Sequence, residues 1–143
     1  MIVVDASLGA KWMVVERDSP EALRFLLDPE HELCSPDLFF TEVAAVIVRK
    51  GNENKDWIDD AREALDKWTI AWSDHLVATF RVTQRRLHRA GQLALQLGHP
   101  LADCIYLALA IELDCDLATC DAKFAKKAMR LWPRVRLLES YST

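Results

Sequence analysis

The chain has 143 residues, 51% of them hydrophobic, which is the size of one domain with a real core. Its 18 Lys and Arg against 22 Asp and Glu leave a formal net charge of -4. That excludes a global positive field for holding a polyanion, so any nucleic-acid binding has to come from a local patch or from bound cations.

The N-terminus MIVVDAS lacks the basic and long apolar regions of an export signal, and no stretch reaches the roughly 18 apolar residues of a membrane span. The expectation is a single cytoplasmic domain over residues 1–143 with no membrane partner. Cys34, Cys104, Cys115 and Cys120 lie in or beside apolar stretches, without C-x-x-C or zinc-finger spacing, and are expected as reduced thiols.

In chain order, Ile2-Val3-Val4 is too short for a helix and apolar throughout, as a strand covered on both faces should be. Ser19-Pro20-Glu21 carries a serine cap, a proline at the first helical position and an early acid, which together predict a helix start. A strand is expected at Glu32 to Ser35. Ser35-Pro36-Asp37 then repeats the helix-start pattern, with Gly51 as the stop. Trp57 and Trp68 fall in a charge-rich helix, where core packing is the first expectation and a face for a protein partner the alternative. A strand at Ala71 to Ser73, a long helix from about Leu76 to Gly98 and a helix opened by Pro100 follow. Strands at Asp116 to Cys120 and Val135 to Leu138 complete the pattern. Strands alternating with helices predict an α/β fold, with a largely parallel sheet and helices on both faces.

In such a sheet a ligand site lies beyond the C-terminal strand ends, where strand order reverses. Asp5 directly follows the first strand and Asp121 follows Leu117-Ala118-Thr119, so both should open on that edge. Each is equally read as a cap of the helix after it. Glu42 is embedded in Leu38-Phe39-Phe40-Thr41-Glu42-Val43-Ala44-Ala45, and Asp103 in Pro100-Leu101-Ala102-Asp103-Cys104-Ile105-Tyr106. A carboxylate on so apolar a helix needs either an Arg or Lys partner or a metal ion. Gathered together, the four would repel by about 4 kcal/mol per close pair at an effective dielectric near 20, so only cations would stabilise the arrangement. An all-oxygen set suits Mg²⁺ or Mn²⁺. Two such ions roughly 3.5–4 Å apart can activate a water and stabilise the leaving oxygen of an in-line displacement at phosphorus.

Ser7 and Thr119 stand two residues from Asp5 and Asp121, close enough to orient a carboxylate, although ordinary capping and strand roles explain them as well. His31, His75, His88 and His99 show no catalytic partner in the sequence and are expected at the surface or at helix ends. Arg81, Arg85, Arg86 and Arg89 crowd one predicted helix. They are read first as a solvated face, with Phe80, Thr83, Leu87, Ala90 and Ala94 turned inward, and second as phosphate contacts. Lys11 and Arg17, near Asp5, are alternative phosphate contacts.

These stretches resemble the PIN domain and, more narrowly, the VapC-type toxins of bacterial toxin–antitoxin pairs. The matching segments are IVVDASLGAKW, SPDLFFTEVAAVIVRK, HPLADCIYLALAIE and LATCDAKF, and they cover nearly the whole chain. D-x-S followed by K-W, and D-x-x-Y-L-A-L-A, are the most specific. The resemblance implies a PIN-like three-layer fold around a five-stranded, mostly parallel sheet. It implies one or two Mg²⁺ or Mn²⁺ ions, with Asp5, Glu42, Asp103 and Asp121 as ligands and catalytic residues and Ser7 and Thr119 at the hydroxyl positions. It further implies endonucleolytic cleavage of RNA, a homodimer and inhibition by a small antitoxin. With no histidine pair to drive attack by the 2′-hydroxyl, a two-metal mechanism leaving 5′-phosphate and 3′-hydroxyl ends is expected. Cys104 and Cys120 are not the commonest occupants of their positions. Lys123 and Lys126 follow Asp121 where some members carry a further acid or amide, so any fifth ligand stays unassigned.

Three alternatives remain in the sequence. One is a housekeeping PIN nuclease outside any toxin pair. Another is a Mg²⁺-binding receiver-like module, disfavoured because Val4-Asp5-Ala6 offers a single acid after the first strand; D-x-D phosphatases are disfavoured by Asp5-Ala6-Ser7 on similar grounds. The last is a non-catalytic RNA-binding scaffold, against which the four acids speak.

Overall fold

A computed structural model describes residues 1–74 and 76–142; His75, one of the four histidines expected at the surface or at helix ends, lies outside the described residues. Strand β1 (Ile2–Val4) is buried along its whole length, as its apolar sequence requires. It pairs in parallel with β2 (Leu33–Pro36) on one side and with β4 (Asp116–Thr119) on the other. Strand β3 (Ala78–Phe80) lies beyond β2, and β5 (Val135–Leu137) beyond β4. The order β3-β2-β1-β4-β5 makes an all-parallel sheet that grows outward through β3 and then returns to β1's other flank. The switch point is therefore between β1 and β4, the two strands followed by Asp5 and Asp121.

Helices α1 (Ala6–Met13), α2 (Ser19–Leu27), α3 (Leu38–Glu53) and α4 (Ile58–Ser73) make the crossovers from β1 to β3. Helices α5 (Gln84–Leu97), α6 (Leu101–Leu113) and α7 (Ala122–Ala128) make those from β3 to β5. Right-handed crossovers put the first group on one face and the second on the other, because the direction of travel across the sheet reverses after β3. Contacts follow that division: α1 packs on α3 and α3 on α4, while α5 packs on α6. Among the described residues no single helix is long and apolar enough to cross a membrane. All four cysteines are free, three of them buried and Cys120 half-buried.

Several local expectations are corrected by tertiary contacts. The proposed strand at Ala71 to Ser73 is the last turn of α4. Trp68 is 2% exposed and donates its indole N–H to the Phe40 carbonyl at 2.9 Å, and Trp72 stacks on Phe40 at 4.8 Å. Those anchors carry the helix past the point where its sequence turns β-like. Trp57 stands just before α4, in a 3-10 turn at Lys55–Trp57, half-buried against the core. The long helix from Leu76 is instead β3 followed by α5, separated by a cap in which the Thr83 hydroxyl accepts from the Arg86 N–H at 3.2 Å. Thr83 is consequently exposed and Leu87 is 44% exposed, while Ala90 and Leu93 take the buried face.

The two serine caps are also corrected. Ser35 and Pro36 close β2, and α3 starts after Asp37. Asp18 precedes α2, and the Ser19 hydroxyl instead donates to the Val14 carbonyl and accepts from the Glu16 N–H. Gly51 does not stop α3. It lies in the final turn, where a Cβ would stand 2.8 Å from that of Ala61 in α4. Gly98 ends α5 at φ +61° and Pro100 precedes α6, both as the sequence indicates.

Candidate functional site

Asp5 and Asp121 both cap helices, as one reading of the sequence holds, and capping occupies one oxygen of each. Asp5 Oδ1 accepts from the Leu8 N–H at 3.2 Å, and Asp121 Oδ1 from the Phe124 N–H at 3.0 Å. The Ser7 hydroxyl also donates to Asp5 Oδ1, at 2.6 Å. Its proton is then committed, so Thr119 is the donor in the 3.1 Å contact between the two hydroxyls. Ser7 Oγ accepts in turn from the Cys120 N–H at 2.9 Å, and Thr119 Oγ1 from the Asp121 N–H at 3.0 Å. Ser7 and Thr119 thus join the ends of β1 and β4 into one hydrogen-bonded unit running from Asp5 to Asp121.

Glu42 comes from α3 and is half-buried; its Oε1 accepts from the Tyr106 hydroxyl of α6 at 2.6 Å. Asp103, in the first turn of α6, places Oδ2 2.6 Å from His99 Nε2. Among the described residues no Lys or Arg lies within ion-pair distance of Asp5, Glu42, Asp103 or Asp121. The salt-bridge reading of Glu42 and Asp103 is thereby removed.

Burial pushes the Asp5 carboxyl up to about 6 against the Ser7 hydroxyl, the Thr119 hydroxyl that stands behind it and the Leu8 N–H, which hold it down; the charge of Asp103 adds to the rise. Burial raises Glu42 too, opposed by the Tyr106 hydroxyl and reinforced by Asp103. Asp103 therefore acts on both acids, and the three share one electrostatic neighbourhood. Burial, with Glu42 alongside, drives the Tyr106 phenol far upward, so it stays a proton donor. Burial raises the Cys120 thiol to about 12, with Asp5 contributing, and Cys104 to about 11, which keeps both as thiols and poor ligands.

As the side chains stand, no three Asp, Glu, His or Cys groups among the described residues form one coordination sphere. Glu42 is turned to Tyr106 and Asp103 to His99. The donor set nevertheless fits a hard divalent cation: oxygen ligands only, no competing cation, and one carboxylate oxygen on each acid without a protein hydrogen bond among the described residues.

The profile of the PIN domain family matches residues 2–129. The chain belongs to the PIN domain family. Comparison with curated proteins returns no match. PIN domains are typically metal-dependent nucleases, which makes nucleic acid the substrate class and a divalent ion the cofactor class.

Within this PIN domain the cationic candidates divide into tied and free groups. Lys11 is held by Glu16 at 2.6 Å and Asp18 at 2.9 Å, and Arg86 by Glu112 at 2.9 Å while its guanidinium lies over the Phe80 ring. Arg17, Arg81, Arg85 and Arg89 are exposed and make no ion pair among the described residues. Arg85 and Arg89 line an open groove between α5 and α6 with His88 and Gln92.

Sequence reasoning missed two side chains that bond the candidate acids, Tyr106 and His99. Tyr106 lies three residues after Asp103 on the same helix, so helical spacing from a candidate acid was the available signal for it, whereas His99 lies in the turn before that helix and offered only nearness in sequence. His99 departs from the expectation of a surface or capping histidine, for its side chain is 8% exposed. His31, by contrast, sits beside the end of α2, with Nδ1 2.7 Å from the Phe25 carbonyl, and His88 is exposed.

Proposed function

We propose that this PIN domain is a Mg²⁺- or Mn²⁺-dependent endoribonuclease, and that it serves as the toxin of a toxin–antitoxin pair. What supports the nuclease reading is that Asp5 and Asp121 follow the two strands at the switch point, that Asp103 acts on both Asp5 and Glu42, and that among the described residues no Lys or Arg lies within ion-pair distance of these four acids. The toxin reading rests on the likeness of the D-x-S…K-W and D-x-x-Y-L-A-L-A segments to VapC-type toxins, and brings with it a small antitoxin and a homodimer.

Bound divalent ions would offset the acids and the phosphate charge, activate water for in-line attack and stabilise the departing 3′-oxygen. Asp5, Glu42, Asp103 and Asp121 are the groups that would hold them. Ser7 and Thr119 orient Asp5 and tie its strand to that of Asp121. Tyr106 orients Glu42. Arg17, Arg81, Arg85 and Arg89, exposed and without an ion pair among the described residues, are candidate contacts for RNA phosphates, whereas Lys11 and Arg86 are committed to carboxylates.

The test is cleavage of a defined RNA with end-group analysis. Expected are 5′-phosphate and 3′-hydroxyl products, loss of activity in EDTA, recovery with Mg²⁺ or Mn²⁺, and a loss of at least a hundredfold in Asp103→Asn. A 2′-deoxy substitution at the scissile nucleotide should still permit cutting. Cyclic phosphate ends, or full activity in EDTA, exclude the mechanism. Normal growth on expression of a metal-competent nuclease would point to a housekeeping enzyme instead of a toxin.

A further inference from the structure

The Gly98-His99-Pro100 turn between α5 and α6 is held in place from three directions. Gly98 takes a positive φ of 61° to end α5, and its carbonyl accepts from Lys127 Nζ of α7 at 3.1 Å. The His99 ring stacks on Phe124 of α7, with centroids 4.9 Å apart and planes 28° from parallel. Its Nε2 meets Asp103 Oδ2 at 2.6 Å. A carboxylate oxygen only accepts, so Nε2 carries the proton and donates. Nδ1 is buried with no hydrogen-bond partner among the described residues. A phenylalanine would fill this place against Phe124 without an orphaned nitrogen. Packing therefore does not account for a histidine here; the Nε2 proton does.

Phe124 is also the residue whose N–H holds Asp121. The ring thus touches Asp103 at one edge and, through its stacking partner, the helix start that carries Asp121. The geometry points to His99 as a positioning residue that holds the Asp103 carboxylate against the α7 end bearing Asp121 and so raises the affinity of the acidic site for a divalent cation. Partners of metal-binding carboxylates commonly affect metal affinity by about 10–100-fold. This inference rests on the metal-dependent reading above.

Calorimetric titration of the full chain with Mn²⁺, without RNA, tests it. His99→Phe keeps the stacked ring and removes the donor; His99→Gln keeps an N–H near the Nε2 position. The expected result is Mn²⁺ binding weakened about tenfold or more in His99→Phe and restored to within about threefold of the parent in His99→Gln. In the unaltered chain, ¹⁵N-edited NMR should show the Nε2-protonated ring and a shift of the His99 ring signals on adding Mg²⁺ that His31 does not share. Equal affinity in a folded His99→Phe overturns the positioning role and leaves the metal-dependent reading standing. No Mn²⁺ binding by the parent overturns both. Should His99→Phe fail to fold, His99 ring signals unmoved by Mg²⁺ overturn the inference on their own.

Discussion

Asp5 is the candidate acid whose carboxyl burial raises to about 6. Its side chain is almost completely buried beside Asp103, with only hydroxyls and one N–H to support its charge. The carboxyl is raised from 3.8 to about 6, so the folded chain holds the proton to higher pH than the unfolded chain does. For an acid raised on folding, the associated stability is fully present below the unfolded value near 4 and is lost as pH rises through about 6. At pH 7.5 without metal, the cost of ionised Asp5 is on the order of 3 kcal/mol. Asp5→Asn keeps an oxygen that can accept from Ser7 and Leu8 and removes the charge. Urea unfolding in EDTA should therefore show Asp5→Asn more stable than the parent by roughly 1–3 kcal/mol at pH 7.5. The gap should shrink through pH 6 and vanish near pH 4, while RNA cleavage is lost throughout. A gap independent of pH would mean that charge burial is not its source. Cys120 stands beside the same carboxyl and stays a thiol because burial and Asp5 both oppose its ionisation.

At the level of elements, the placement of Glu42 depends on how closely α1 approaches α3. Gly9 of α1 faces the Phe39 ring, and a Cβ at that position would stand 2.6 Å from two ring carbons and 3.1 Å from Val43. Phe39 is fully buried and edge-packed by Trp12, Phe40 and Trp68, so its ring has little room to yield. Gly9→Ala should cost about 1–3 kcal/mol by overpacking, although alanine is the better helix former by roughly 1 kcal/mol. Chemical denaturation reads the difference, and a stabilised variant would show that the two helices can separate freely. Because α3 carries Glu42 and α1 is capped by Asp5, the same variant should also weaken cleavage. The α4 error belongs to this scale as well. Ala71 to Ser73 has a strand-like sequence in isolation, but Trp68 and Trp72 bind the helix to Phe40, which lies 28 residues before Trp68, a contact that no local window contains. Strand β3 was invisible for the converse reason: three mostly exposed edge residues carry no periodicity.

Across the whole molecule, the four candidate acids come from four different segments, the ends of β1 and β4 and helices α3 and α6, and only folding brings Asp103 within electrostatic range of Asp5 and Glu42. A divalent ion that binds them only in the folded chain should stabilise the fold by about 2.7 kcal/mol at a hundred times its Kd, or roughly 5–10 °C in Tm for a chain of this size. Thermal unfolding in EDTA and in excess Mn²⁺ checks this, and the shift should disappear in Asp121→Asn. An equal shift in that variant would place the ion elsewhere. Sequence by itself determined the α/β class and the parallel sheet and singled out four candidate acids, because apolar runs, helix-end signals and carboxylates on apolar helices are local features with definite energetic costs. Only the tertiary structure decided what each acid touches. The pairing of Glu42 with Tyr106 spans 64 residues, and Ser7 reaches Thr119 across 112. His99 looked like any histidine near a helix end until Phe124 and Asp103 were found on either side of it. Side-chain partnerships across the sheet edge depend on strand order and helix packing, and those are set by the burial of the whole core, which no single stretch of sequence contains.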